Sequence, residues 1–186
     1  MSLEPEVLFV NSDYIKRYTW LNGSVDENLM FPAIYLAQDE YIQQYLGEDL
    51  FKQIKTQIKE DDVSIENQVL LDDYIRRATC WWSLYELLPH LYMKTDNGSI
   101  VIRESDDTTQ IASDDLFRYR DQTKDKALFY TKRMVQYLFN NTSLYPAYST
   151  NESNGIWAEK EVYESNAWMI SNGKTPYRKY PKCWFK

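Results

Sequence analysis

At 186 residues with 44% hydrophobic content, the chain is long enough for one domain with a real core plus an appendage. Its net charge of −7 and pI near 4.8 exclude whole-surface binding to nucleic acid, which needs cationic patches that displace counterions. Two cysteines, one histidine and five glycines give no disulfide framework, no His-rich metal site and no GxGxxG or GxxxxGK[ST] loop.

Taken in chain order, residues 1–24 read as an extended lead-in with a short helix, Asn11-Ser12-Asp13 capping Tyr14 to Tyr18 and Asn22-Gly23 turning the chain. No basic region followed by an apolar core opens the chain and no run reaches transmembrane length. We therefore expect synthesis in a reducing cytoplasm, without a membrane partner. Asp26 then caps a helix to about Leu46, with Leu29, Ile34, Ala37, Tyr41, Ile42 and Tyr45 at three-to-four spacing. Pro32 is tolerated only near its start and Gly47 ends it. Glu48 to Lys59 is a shorter helix with Leu50, Phe51, Ile54 and Ile58 on one face.

The longest helix is predicted from Ser64 to about Met93. Val69, Leu70, Ile75, Ala78, Trp81, Trp82, Tyr85, Leu88 and Leu91 wrap most of its circumference, which makes it the central element. Pro89 should kink or end it. Trp81 and Trp82 read most simply as core, but consecutive helical positions diverge by about 100°, so one of them has room to face a partner. Residues 96–112 read as a hairpin or β-tongue: Asp96-Asn97-Gly98 turns, Ser99 to Arg103 is strand-like, and Gln110-Ile111 supplies the return. Ser113-Asp114-Asp115 caps a last helix to about Phe139, whose buried stripe is Leu116, Tyr119, Thr123, Ala127, Tyr130, Met134 and Leu138. The fold class is mainly α: a helical bundle around one long central helix, with a short β-tongue insertion and an extended C-terminal arm. The expected divisions are residues 1–24, 25–140 and 141–186.

Residues 141–186 hold nine aromatics without helical or strand periodicity. A disordered linker is poor in aromatics, and so small a segment cannot bury its own core without staples. The arm must find its burial elsewhere, on its own domain or on a neighbour. We take Trp157, Tyr163, Trp168, Tyr177, Tyr180, Trp184 and Phe185, with Ile100 and Ile102 of the tongue, as protein-interface residues. The arm has an acidic half, with Glu152, Glu159, Glu161 and Glu164, and a basic half, with Lys174, Arg178, Lys179, Lys182 and Lys186.

Nothing comparable argues for catalysis. Asp61-Asp62, Asp106-Asp107 and Asp114-Asp115 fall at expected turns and caps. Asp72 and Asp73 stand four residues before Arg76 and Arg77, the favourable order for helical ion pairs. His90, alone, reads as structural at a helix end. No catalytic residue, cofactor or metal is expected.

The order of these elements resembles the head–tail connector (adaptor) proteins of tailed bacteriophages, and looks closest to the crAss-like podovirus type. Carrying the resemblance are Tyr41-Ile42-Gln43-Gln44-Tyr45-Leu46-Gly47, the long aromatic helix, and the tongue from Gly98 to Thr109 ahead of Ala112-Ser113. Tyr137-Leu138-Phe139-Asn140-Asn141 and Tyr145-Pro146-Ala147-Tyr148 complete the pattern, which covers about residues 10–148. The resemblance implies a virion protein at the neck: a ring, usually of twelve subunits, that docks on the portal, extends the DNA channel and meets the next tail protein. Packaged DNA would pass without sequence-specific binding, and an acidic body suits that passage. The competing reading is a small phage-encoded regulatory module that binds a host protein.

Overall fold

A computed structural model describes residues 6–21, 25–96, 99–102 and 113–162. It is mainly helical. After α1 (Ser12–Tyr18), helix α2 (Glu27–Leu36) runs without a break through a π-helical stretch, Ala37–Ile42, into α3 (Gln43–Leu46). Helix α4 (Glu48–Glu60) follows directly. Helix α5 (Ile65–Leu70) continues through a second π-helical stretch, Leu71–Ile75, into α6 (Arg76–Tyr92). Helix α7 (Ser113–Asn140) is the longest single helix, and a 3₁₀ turn, Pro146–Tyr148, comes after it.

The local chemistry that starts and stops these helices follows the sequence. Asn11, Asp26 and Ser64 each accept a backbone N–H as N-caps. Asp61 ends α4 in the left-handed region at φ 56°, its N–H on Ile58 and that of Asp62 on Gln57, a Schellman arrangement. Pro32 sits inside α2 rather than at its start, because the Asp26 cap begins the helix a turn earlier. Pro89 does not break α6 at once; the helix ends three residues on, where Met93 turns extended.

Helix α6 is central, packed against α2 on one side and α7 on another. The main core joins α3 and α4 (Tyr45, Leu46, Leu50, Ile54) to the α5–α6 rod (Leu70, Leu71, Ile75, Trp82) and α7 (Ala127, Met134, Leu138). A smaller cluster ties α1 and α2 to α6 through Ile15, Met30, Ile34, Cys80 and Leu87. Burial pushes the Cys80 thiol up to about 12, as an inert core cysteine requires. Trp82 stacks on Tyr41 with ring centroids 3.9 Å apart, and its indole N–H donates to Thr131 Oγ1 at 3.0 Å.

The two π stretches serve the lead-in. Gln38, fully buried in the first, accepts the Phe9 N–H and donates to the Val7 carbonyl. Arg76, directly after the second, donates to the Phe9 carbonyl at 3.0 Å. Residues 7–9 are thereby held in place, with Phe9 in the main core against Phe51.

Three expectations are corrected. Ser99–Ile102 is a strand that pairs antiparallel with Met93–Asp96, where the sequence reading has the end of the central helix and the start of a turn; the expected return at Gln110-Ile111 lies outside the described residues. The register sets Met93 against Ile102 and Thr95 against Ile100, and residues 103–112 lie outside the described ones. Val69, assigned to the apolar wrap, is exposed, while its neighbours Leu70 and Leu71 are both buried. Lastly, the sequence reading starts a separate arm at residue 141, yet Tyr145 and Tyr148 are 1% and 2% exposed, inside the main core.

Candidate interaction surface

Residues 142–162 bind the helical body through a specific set of contacts. Tyr145 enters the core beside Tyr137 and donates its hydroxyl to the Glu66 carbonyl at 2.8 Å. The strap then reaches Asp49, in the first turn of α4. The Asp49 carboxylate accepts from the Ser153 hydroxyl, the N–H groups of Glu152 and Ser153, and the Thr150 hydroxyl. These bonds, led by the one from the Ser153 hydroxyl, hold the Asp49 carboxyl down at about 2.

Beyond this turn the strap runs beside the α3–α4 junction. The Glu48 N–H donates to the Ile156 carbonyl and the Glu159 N–H to the Gln44 carbonyl, both at 2.8 Å. Gly47 makes this approach workable. Its φ of 77° and ψ of 163° belong to glycine, and a Cβ there would stand 3.0 Å from the Ala158 nitrogen. The Tyr45-Leu46-Gly47 string thus has a physical role: two core side chains followed by the seat for the strap.

Trp157 lies between the two backbone hydrogen bonds and points outward, 64% exposed beside exposed Ile156. An aromatic held by its backbone and left bare is a preorganised anchor, because binding need not first order it.

A second aromatic surface lies between α1, α6 and α7. Trp81 and Tyr130 line a groove of about 360 Å³ with Phe129 and Lys126, which continues toward Tyr14 and Tyr18. Trp20 overhangs it, 62% exposed, with its ring 5.4 Å from that of Trp81. The Lys126 ammonium stands over both indoles, 4.7 Å from the Trp20 centroid and 5.7 Å from that of Trp81. Phe129 is 56% exposed, with the Arg133 guanidinium 5.9 Å from its centroid. Of the consecutive tryptophans, Trp82 is buried in the core, while Trp81 is half-buried, packed against that core and lining the groove.

Among the interface residues expected from sequence, Trp157 is exposed as required. For Ile100 and Ile102 the structure describes the backbone pairing alone. Tyr163, Trp168, Tyr177, Tyr180, Trp184 and Phe185 lie outside the described residues. Sequence reasoning missed Trp20, Lys126 and Phe129. A signal for Phe129 was available: with Phe117 and Phe139 it falls off the buried stripe of α7, and all three are exposed.

The paired acids have structural roles. Asp72 and Asp73 form ion pairs with Arg76 and Arg77, Asp114 and Asp115 open α7, and Asp106-Asp107 lie outside the described residues. His90 is exposed in the last turn of α6. No helix among the described residues is long and apolar enough to cross a membrane.

Neither a curated protein nor a solved structure matches the chain. A family model described as a family of unknown function, DUF6712, matches residues 42–156. The match runs from the end of the first π stretch to the residue whose carbonyl accepts the Glu48 N–H, so it takes in α3 to α7 and the first part of the docked strap, and leaves out α1, α2 and Trp157. Spanning more than half of the sequence, it makes this chain a member of the DUF6712 family.

Proposed function

We propose that this protein is a structural assembly subunit: a ring-forming adaptor at the head–tail junction of a tailed phage, docked on the portal and extending the DNA channel toward the next tail protein. The observation that carries the assembly reading is Trp157, bare to solvent on a strap tied down on both sides of it. A monomeric protein gains nothing by fixing a large aromatic in water, whereas an interface gains a rigid hot spot. The resemblance in element order to phage connectors supplies the place of assembly. The acidic balance of the chain fits a lumen along which DNA slides without adhering. In this reading the β1–β2 pair (Met93–Asp96 and Ser99–Ile102) is the base of a tongue directed at a neighbour or the portal, and the chain beyond the strap is an assembly arm.

Imaging the neck of purified virions at side-chain resolution tests the proposal. A ring of this chain beneath the portal is the expected result. Its absence from the particle, combined with stoichiometric capture of one host protein, would replace the proposal with the regulatory-module reading.

A further inference from the structure

We infer that the strap and the groove are two halves of one contact between copies: Trp157 of one subunit seats in the groove between α1, α6 and α7 of the next. The inference rests on the assembly reading above and names the surfaces it would use.

The geometry of α7 separates the two halves. Its buried stripe runs through Thr123, Ala127, Thr131, Met134 and Leu138. At about 100° per residue, Lys126 and Tyr130 fall on one side of that stripe and Leu128 and Val135 on the other. The groove uses the Lys126–Tyr130 side. The strap lies on the opposite side, where Lys160 and Val162 face Val135 and Gln136. A subunit therefore cannot place its own Trp157 in its own groove while the Gln44 and Glu48 backbone bonds hold. Two different patches on opposite flanks of one subunit are what a heterologous contact requires, and such a contact closes into a ring when the rotation per step allows.

Chemistry matches the halves. Around Trp157, residues 152–161 carry Glu152, Glu159 and Glu161 against Lys160, a net −2. The groove and its rim carry Arg77, Lys126 and Arg133 against Asp125 and the Asp73 paired with Arg77, a net +1. Lys126 already stands over Trp20 and Trp81, so an indole entering beside it meets a cation and aromatic faces together. The groove, about 360 Å³, is open to solvent and has room for one aromatic side chain.

The test places the photoreactive p-benzoylphenylalanine at position 157 of the full-length chain and mixes it with ¹⁵N-labelled unmodified chain, so that mass spectrometry separates interchain from intrachain bonds. The expected result is interchain bonding to Trp20, Trp81 or residues 122–130. Lys126→Glu should cut that yield by roughly threefold or more, and Lys126→Glu combined with Glu159→Lys should restore it. Circular dichroism melts confirm that each variant folds. Bonds confined to one chain, bonds to another surface, or no interchain bond overturn the contact. Light scattering on the same samples judges the ring separately. A closed ring whose residue 157 bonds elsewhere overturns the contact and leaves the ring; groove bonding in a species that stops at two subunits supports the contact and removes the ring.

Discussion

Gly47 combines two constraints that are usually separate. At φ 77° and ψ 163° it occupies a region that costs any other residue on the order of 1–3 kcal/mol. A Cβ there would also meet Ala158 backbone and side-chain atoms at 3.0 to 3.4 Å. Gly47→Ala should therefore destabilise the domain by about 2 kcal/mol or more, read from urea midpoints, and loosen the strap as well. The two buried tyrosines of residues 142–149 offer a sharper comparison. Tyr145 donates to the Glu66 carbonyl and contacts the Tyr137 hydroxyl, whereas the Tyr148 hydroxyl is buried with no partner among the described residues. Removing a bonded hydroxyl forfeits a hydrogen bond worth about 1 kcal/mol, while removing an unbonded one relieves a desolvation penalty. Tyr145→Phe should lower the urea midpoint, and Tyr148→Phe should leave it unchanged or raise it. Equal losses in both would contradict this assignment of their hydroxyls.

At the scale of elements, docking of the strap on α4 depends on the ionised form of Asp49. Its carboxyl titrates near 3.8 when free and is held at about 2 in the fold, chiefly by the Ser153 hydroxyl. A depressed acid stabilises above its free value and loses that contribution as pH falls through its folded value. Amide protection at Glu152, Ser153 and Glu159, followed by NMR, should be constant above about pH 4 and fall as pH drops through 3.8 toward 2. Asp49→Asn should lower it at neutral pH and abolish the transition. The acid that does this is Asp49 of the Glu48-Asp49 pair that opens α4, which the sequence presents as ordinary helix-start residues; its partners are about a hundred positions away, so local spacing conceals them. Where the determinants are local, the elements were legible: the Asp26 and Ser64 caps and the Gly47 stop stand as read, and of the α7 stripe Thr123, Ala127, Met134 and Leu138 are buried while Leu116, Tyr119 and Tyr130 are only half-buried. The π stretches were not, because a π turn keeps apolar neighbours within reach of one core and shows in sequence only as adjacent pairs such as Tyr41-Ile42 and Leu70-Leu71. The strand at Met93–Asp96 was hidden for a related reason. Met93 read as the end of a helix and Asp96 as the start of a turn, and only the pairing with Ser99–Ile102 makes the stretch a strand. For the interaction surface, Trp157 stood out by composition. Trp20 and Phe129 become a site only once α1, α6 and α7 are brought together.

At the scale of the whole molecule, the question is where the folding unit ends, and magnitudes decide it. A domain of this size has a net stability of about 5–15 kcal/mol. Truncating a fully buried large aromatic costs about 3–5 kcal/mol. A chain ending at residue 140 lacks both Tyr145 and Tyr148, and with them core that seals α5 and α7, so its loss of roughly 6–10 kcal/mol consumes most or all of the total. A chain ending at residue 149 keeps both tyrosines and loses the Asp49 and Glu48 contacts with the strap, which lie mostly at the surface and contribute little each. A chain ending at residue 162 keeps every contact described above. Three truncations should therefore rank in steps: the 1–162 chain with a sharp cooperative melt, the 1–149 chain cooperative at a modestly lower midpoint, and the 1–140 chain without a cooperative transition. Thermal unfolding by circular dichroism separates them. A cooperative 1–140 chain would mean that the core is complete at the end of α7 and that Tyr145 and Tyr148 are passengers on it. The same series bears on assembly, because the 1–149 chain keeps the α1–α6–α7 groove and lacks Trp157. If the two surfaces meet between subunits, that chain should accept Trp157 from a full-length neighbour but donate none, and so act as a terminator that lowers the oligomer mass of the full-length protein in proportion to the amount added.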